Sequence, residues 1–115
     1  MLPTAIVGKK FEKVAELYLK KNKYKILATN FSSPCGEIDI IAKDKTDGYI
    51  VFVEIKYRTS GLYGRPIEAI NSEKVRKIHA TSQVYLKLHG WLDKPIRFDA
   101  IEILDDYVRH VKNAF

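Results

Sequence analysis

The chain holds one cysteine among its 115 residues, Cys35, so an internal disulfide is excluded and a reducing, cytoplasmic setting is expected. No apolar run approaches the roughly 20 residues that a membrane-spanning helix needs. The N-terminus lacks the basic-then-apolar layout of a signal peptide. Internal repeats and low-complexity tracts are absent. His79 and His89 stand without a Cys or carboxylate partner at metal-ligand spacing, which argues against a zinc-type site. Nothing in the sequence pairs Cys35 with a base, so a thiol nucleophile is not proposed either.

What is present is a globular composition, 46% hydrophobic and 30% charged, in a length that suits one domain over residues 1–115. The net charge of +6 and a pI near 9.4 favour a polyanionic partner, nucleic acid first and an anionic membrane surface second.

The most informative stretch runs from Gly36 to Arg58 and reads as a β-hairpin. Gly36–Ala42 forms one strand and Tyr49–Lys56 the other, with the Asp47-Gly48 turn signal between them. If Lys45–Gly48 is the tight loop, Asp44 pairs with Tyr49, Asp39 falls opposite Glu54, and Glu37 falls opposite Lys56. Alternation puts Glu37, Asp39 and Ile41 on one face of the first strand and Phe52, Glu54 and Lys56 on one face of the second. Each charge alone reads as the solvated face of a sheet. Together they do not: Ile38-Asp39-Ile40-Ile41 embeds Asp39 in an apolar run, and a strand apolar on both sides is covered on both faces. Two carboxylates directly across from one another repel unless a cation lies between them, and a hard divalent ion such as Mg²⁺ suits oxygen ligands.

Around the hairpin, Thr4 to about Asn22 reads as a helix, with Val7, Phe11, Val14, Ala15, Tyr18 and Leu19 at helical spacing. Lys9, Lys10, Lys13, Lys20 and Lys21 decorate it. Glu12 borders its apolar side, next to the small Gly8 and Ala15. It is either a surface glutamate beside the core or a group that reaches the acidic face of the hairpin. Tyr24–Ala28 is expected as a short strand and Thr29–Cys35 as a loop. Tyr57–Pro66, with Arg58 and Arg65, is either a connector or a phosphate-touching loop. A second helix starts at an Asn71 or Ser72 cap and ends at Gly90, and Lys74, Arg76, Lys77 and Lys87 make it basic. Ile96–Leu104 is a strand, and Tyr107–Val111 adds an edge strand. This order predicts a three-layer α/β or α+β domain.

Asp39 followed by Glu54-Ile55-Lys56 on the next strand resembles the P-D-(D/E)-x-K motif of restriction-endonuclease-like nucleases and Holliday junction resolvases, with Ile38 where that motif has its proline. The whole chain resembles the uncharacterised bacterial YraN-type family. The likeness rests on Gly8, Glu12 and Ala15, on Asn30, on Gly36–Ile40, on Val51–Lys56, on Arg58 and Lys74, on Arg97-Phe98-Asp99 and on Asn113-Ala114-Phe115.

The resemblance implies an α/β restriction-endonuclease-like core, ordered helix, three strands, helix, strand, with a central mixed sheet flanked by helices. It implies metal-dependent phosphodiester hydrolysis, with DNA as the partner and structure rather than sequence preference. Asp39 and Glu54 would hold Mg²⁺ or Mn²⁺ with the Ile55 carbonyl. Lys56 would orient water or meet charge on the phosphate, and Glu12 and Glu37 would give outer contacts. Lys9, Lys10, Lys13, Arg58, Arg65, Lys74, Arg76 and Lys77 would grip the nucleic acid. A homodimer is compatible with this reading. The rival is a non-catalytic nucleic-acid-binding module on the same fold. A carboxylate-pair glycosidase is disfavoured by the positive charge and by Lys56.

Overall fold

A computed structural model describes residues 4–58, 71–104 and 107–115, with side chains from residue 10 onward in those stretches, Arg58 excepted. The order of elements is α1 (Thr4–Lys21), β1 (Tyr24–Ser33), β2 (Gly36–Asp44), β3 (Ile50–Arg58), α2 (Ser72–His89), β4 (Ile96–Leu104) and β5 (Tyr107–Val111). The strands form one mixed sheet in the order β1-β2-β3-β4-β5. The β3/β4 pair is parallel and the other three are antiparallel. A parallel pair needs a crossover, and α2 lies in it.

The helices cover opposite faces, which makes the domain a three-layer α/β structure. Ala15 and Leu19 of α1 are fully buried against Tyr24, Ile40, Ala42, Val51, Val53, Ile101 and Ile103. Ile78, Tyr85 and Leu86 of α2 bury against Ile38, Ile41, Ile50 and Phe52, with Phe98 packed alongside. Burying side chains of this kind stabilises by about 1.5–3 kcal/mol each before chain entropy is subtracted. The Asn71 carboxamide accepts from Lys74 N at 2.8 Å to start α2. Gly90, at φ 70°, ends it in the left-handed conformation that glycine tolerates.

Two expectations need correction. Thr29–Cys35 is not a loop, because β1 continues to Ser33 and pairs Phe31 with Ile38, Ser32 with Glu37 and Ser33 with Gly36. The run of Asn, Ser and Pro suggests a turn, but a ladder needs only backbone groups. Phe31, whose ring meets Tyr85, anchors this segment under α2.

The hairpin register is as expected from Lys43↔Ile50 to Ile40↔Val53, and Asp44 N donates to Tyr49 O at 2.9 Å. Beyond Ile40 the β2/β3 pairing stops, so neither Asp39 with Glu54 nor Glu37 with Lys56 forms a ladder pair. There the Ile55 N–H donates to Asp39 Oδ2 at 2.9 Å, a side chain standing where the ladder would continue. The phase of alternation also shifts at this level. Ile38 and Ile41 both lie under α2, while Ile40 lies under α1. On the neighbouring strand Asn30, between the partners of Ile40 and Ile38, has φ 51°, a left-handed kink within a strand.

Candidate functional site

The end of the β2/β3 ladder opens into a cavity of about 270 Å³ lined by Gly36, Glu37, Asp39, Glu54, Lys74, Lys77 and Ile78. β2 supplies Asp39, β3 supplies Glu54, and the first turns of α2 form the wall. Gly36 lets helix and strand come this close. At φ 152° it has a conformation that other residues rarely adopt, and a Cβ there would meet Thr81 Oγ1 at 3.2 Å and Lys77 Cβ at 3.3 Å.

Glu54 is buried, 5% exposed, yet its Oε1 meets two ammonium groups: Lys74 Nζ at 2.5 Å and Lys56 Nζ at 3.9 Å. Burial pushes the Asp39 carboxyl up to about 6, and the neighbouring Glu54 charge adds to it. The Ile55 N–H and Lys74 pull it down only in part. Lys56 is held below the ordinary lysine value, first by burial and then by the charge of Lys74. Lys74 goes the other way: burial opposes its charge, but its hydrogen bond to Glu54 and the Glu54 charge hold it above the ordinary value. Asp39 is therefore the carboxyl of this site whose charge is opposed, first by burial and then by the Glu54 charge beside it.

Of the residues singled out from sequence, Asp39, Glu37, Glu54, Lys74 and Lys77 line this one cavity. Lys56 joins them through Glu54, and Ile55 through its N–H to Asp39. Glu12 sits on α1, where its Oε1 accepts from Asn30 Nδ2 at 2.7 Å, and it is not among the lining residues. Lys10 and Lys13 are exposed on α1, while Arg76 and Lys77 are exposed on α2, so the basic set is divided between the two outer layers. Arg65 lies outside the described residues, as do the side chains of Lys9 and Arg58. Among the described residues no group of three or more His, Cys, Asp or Glu side chains is arranged to hold a metal ion.

Sequence reasoning missed the direct contact of Lys74 with Glu54. It also missed a second charged cluster, on the α1 side of the sheet. Arg97 Nε donates to Asp99 Oδ1 at 2.9 Å, and its two terminal nitrogens reach Asp44 Oδ2 at 3.2 Å, Asp47 Oδ2 at 3.0 Å and the Tyr24 hydroxyl at 2.8 Å. Asp99 also holds His110 Nε2 at 2.7 Å and accepts from Asn113 N at 3.1 Å. His110 Nδ1 lies 3.1 Å from the Tyr18 hydroxyl. Burial works against the Asp44 charge, but the Thr46 hydroxyl and N–H and the Arg97 guanidinium outweigh it and hold that carboxyl at about 2. Asp99 is lowered in the same way, its burial outweighed by hydrogen bonds from His110, Arg97 and the Asn113 N–H. The available signal was Arg97 and Asp99 two residues apart on the core-facing side of a strand.

With the geometry established, comparison places the chain. The model of the uncharacterised protein family UPF0102 matches residues 11–103. A UPF0102 protein of Persephonella marina is 47% identical over 110 residues, covering 96% of this chain and 93% of that relative. One from Clostridium acetobutylicum is 46% identical over 110 residues, covering 90% and 88%. A solved structure, the crystal structure of SSO0001, aligns with 97% of this chain at 19% identity and a TM-score of 0.47. This chain covers only 52% of that protein, and a likeness so low carries no argument about the site. The family model and both relatives span most of the sequence, and the YraN-type resemblance is borne out: the chain belongs to the uncharacterised protein family UPF0102.

Proposed function

We propose that this protein is a metal-dependent nuclease-like enzyme that hydrolyses phosphodiester bonds, in DNA first, with a preference for backbone shape over base sequence. One observation carries the reading. Two carboxylates from adjacent strands, Asp39 and Glu54, converge on a lysine-walled cavity, where burial first and the Glu54 charge second push the Asp39 carboxyl up to about 6.

The donor set fits a hard divalent ion. Mg²⁺ keeps several waters and needs only one or two carboxylates when a substrate phosphate completes its shell. Asp39 and Glu54, with the Ile55 carbonyl, are the groups that would hold Mg²⁺ or Mn²⁺. Bound there, the ion would lower the pKa of a water and stabilise charge on the phosphate. Lys56, 3.9 Å from Glu54, would hold a phosphate oxygen or orient the attacking water. Burial holds Lys56 below the ordinary lysine value, which eases movement of its proton. Lys77 at the cavity wall and Arg76 on the outer face of α2 offer contacts to flanking phosphates, which carry no sequence information. The single exposed thiol suits a reducing cytoplasm, where such a substrate lies.

The second reading, a non-catalytic nucleic-acid-binding module, is favoured by the Lys74–Glu54 pair, which gives one carboxylate a cation of its own. Incubation of plasmid and branched DNA with Mn²⁺ separates the two readings. Cleavage that EDTA and Asp39→Asn both abolish is the expected result. Salt-sensitive DNA binding without cleavage in Mg²⁺ or Mn²⁺ would leave only the binding module.

A further inference from the structure

Lys74 is placed with more care than a phosphate-gripping lysine requires. Its backbone N–H is the one that the Asn71 cap accepts, so the turn that carries it is fixed at the start of α2. Its ammonium crosses from helix to sheet and meets Glu54 Oε1 at 2.5 Å. The lysine one turn later, Lys77, lies 3.5 Å from Glu73 on the helix surface. Lys56, from the same strand as Glu54, stays 3.9 Å from that oxygen. The groups facing Lys74 are therefore Glu54 at contact, Asp39 beyond it, and Lys56 as a like charge that shares Glu54.

We infer that Lys74 is the built-in counter-cation of this site: it holds Glu54 when no divalent ion is present, and ion uptake and release of Lys74 are one exchange. The inference rests on the metal-dependent reading above. Two cations cannot both lie at contact distance on one carboxylate oxygen without strong mutual repulsion in a half-buried setting. Released, Lys74 remains on the cavity wall, tethered to a capped helix. Its ammonium then faces whatever anion enters, and a phosphodiester is the chemistry that fits. One residue would in this way pair with Glu54 in the empty site and supply positive charge once substrate arrives. It would also give the first turn of α2 a different environment in the empty and loaded states.

The test uses the intact chain and Mn²⁺ or Mg²⁺ alone. Lys74→Met keeps the length and removes the charge, and should bind Mn²⁺ about fivefold more tightly than the wild type, the scale of one half-exposed ion pair. Its metal-free melting temperature should fall. Unchanged or weaker Mn²⁺ binding by a folded Lys74→Met, with the wild type binding normally, overturns the inference and leaves the metal reading intact. Failure of both proteins to bind Mn²⁺ overturns the metal reading, and the inference with it. A measurement without substitution guards against misfolding. Amine acylation of the wild type, read by mass spectrometry, should show Lys74 becoming more reactive on addition of Mg²⁺, with Lys77 on the same helix as internal control. Equal Lys74 labelling with and without Mg²⁺, at an ion concentration where binding is saturated, also overturns the exchange.

Discussion

Asp99 and Asp39 are both aspartates on interior strands of one sheet, and both are covered by a helix layer. Asp99 faces α1 and is surrounded by donors: Arg97, His110 and the Asn113 N–H. Its carboxyl is held low, and so is that of Asp44, which shares Arg97. Asp39 lines the cavity beside α2 with one backbone donor, and its neighbours include two further carboxylates, Glu54 and Glu37. Its carboxyl is pushed up to about 6. The first cluster is complete, and the buried side-chain polar atoms of the described residues all have partners. The second holds Asp39 buried beside Glu54 at an open cavity, where a bound cation would favour its charged form. Burial of charge alone does not mark a site. Burial that is not balanced, next to accessible space, does.

The contrast can be broken at its strongest point first. Arg97→Met should remove the guanidinium while leaving Asp44 and Asp99 buried, and should cost about 3–5 kcal/mol, the penalty of breaking a buried ionic group by removing one partner. Urea denaturation measures it. A loss below about 1 kcal/mol would mean that His110 and Thr46 suffice to hold those carboxylates.

Next is Asp39→Asn. Asn can still accept from the Ile55 N–H, and it removes the repulsion with Glu54, so metal-free stability at pH 8 should stay level or rise by about 1 kcal/mol. Dependence on Mn²⁺ should vanish with it. A drop of 2 kcal/mol or more would make Asp39 a structural group of the same kind as Asp99.

The two aspartates should also respond to pH with opposite signs. Asp39 binds its proton more tightly when folded than when unfolded, so its contribution to stability rises as pH falls from above 6 toward 4. Asp44 and Asp99 bind theirs less tightly when folded, so their contribution is present above the unfolded carboxylate value and is lost in more acid solution, for Asp44 as pH falls toward about 2. Melting curves of the metal-free wild type and Asp39→Asn from pH 8 to pH 4.5 should therefore converge, the wild type gaining relative to the variant. Parallel curves would sink the assignment.

The smallest effect expected is at Lys56. Lys56→Ala should lower metal-free stability by less than about 1 kcal/mol, because Lys74 still holds Glu54. It should abolish cleavage while Mn²⁺ binding survives. Loss of Mn²⁺ binding would show instead that Lys56 shapes the ligand set.

Much of the frame could be read from residues alone. The Asp47-Gly48 loop, the alternation of Val51, Val53 and Ile55, and the Asn71 and Gly90 caps placed the hairpin and α2 where they are found. What could not be read was set by tertiary partners. The length of β1 depends on backbone groups offered by Gly36–Ile38, which composition does not reveal. The end of the β2/β3 ladder depends on Asp39 taking the Ile55 N–H, and a count of residues back from the turn assumes that the ladder continues. Lys74 looked like one more surface cation because its partner is 20 positions earlier in the chain, across a crossover. The Arg97 cluster draws on Tyr24, Asp44, Asp47 and His110, and only folding brings them together.

The kink at Asn30 has a consequence outside the site. β1 is one of the two free edges of the sheet, and a free edge invites another chain to extend it. The register shift between Ile26 and Ala28, the left-handed turn of Asn30 and the exposed Lys25 interrupt that edge within a few residues. The opposite edge, β5, is only 5 residues long. Neither offers a long flat template, so amyloid-like stacking and sheet-to-sheet joining of two copies are both disfavoured. Among the described residues, the helices rather than the sheet edges are then the surfaces open to self-association.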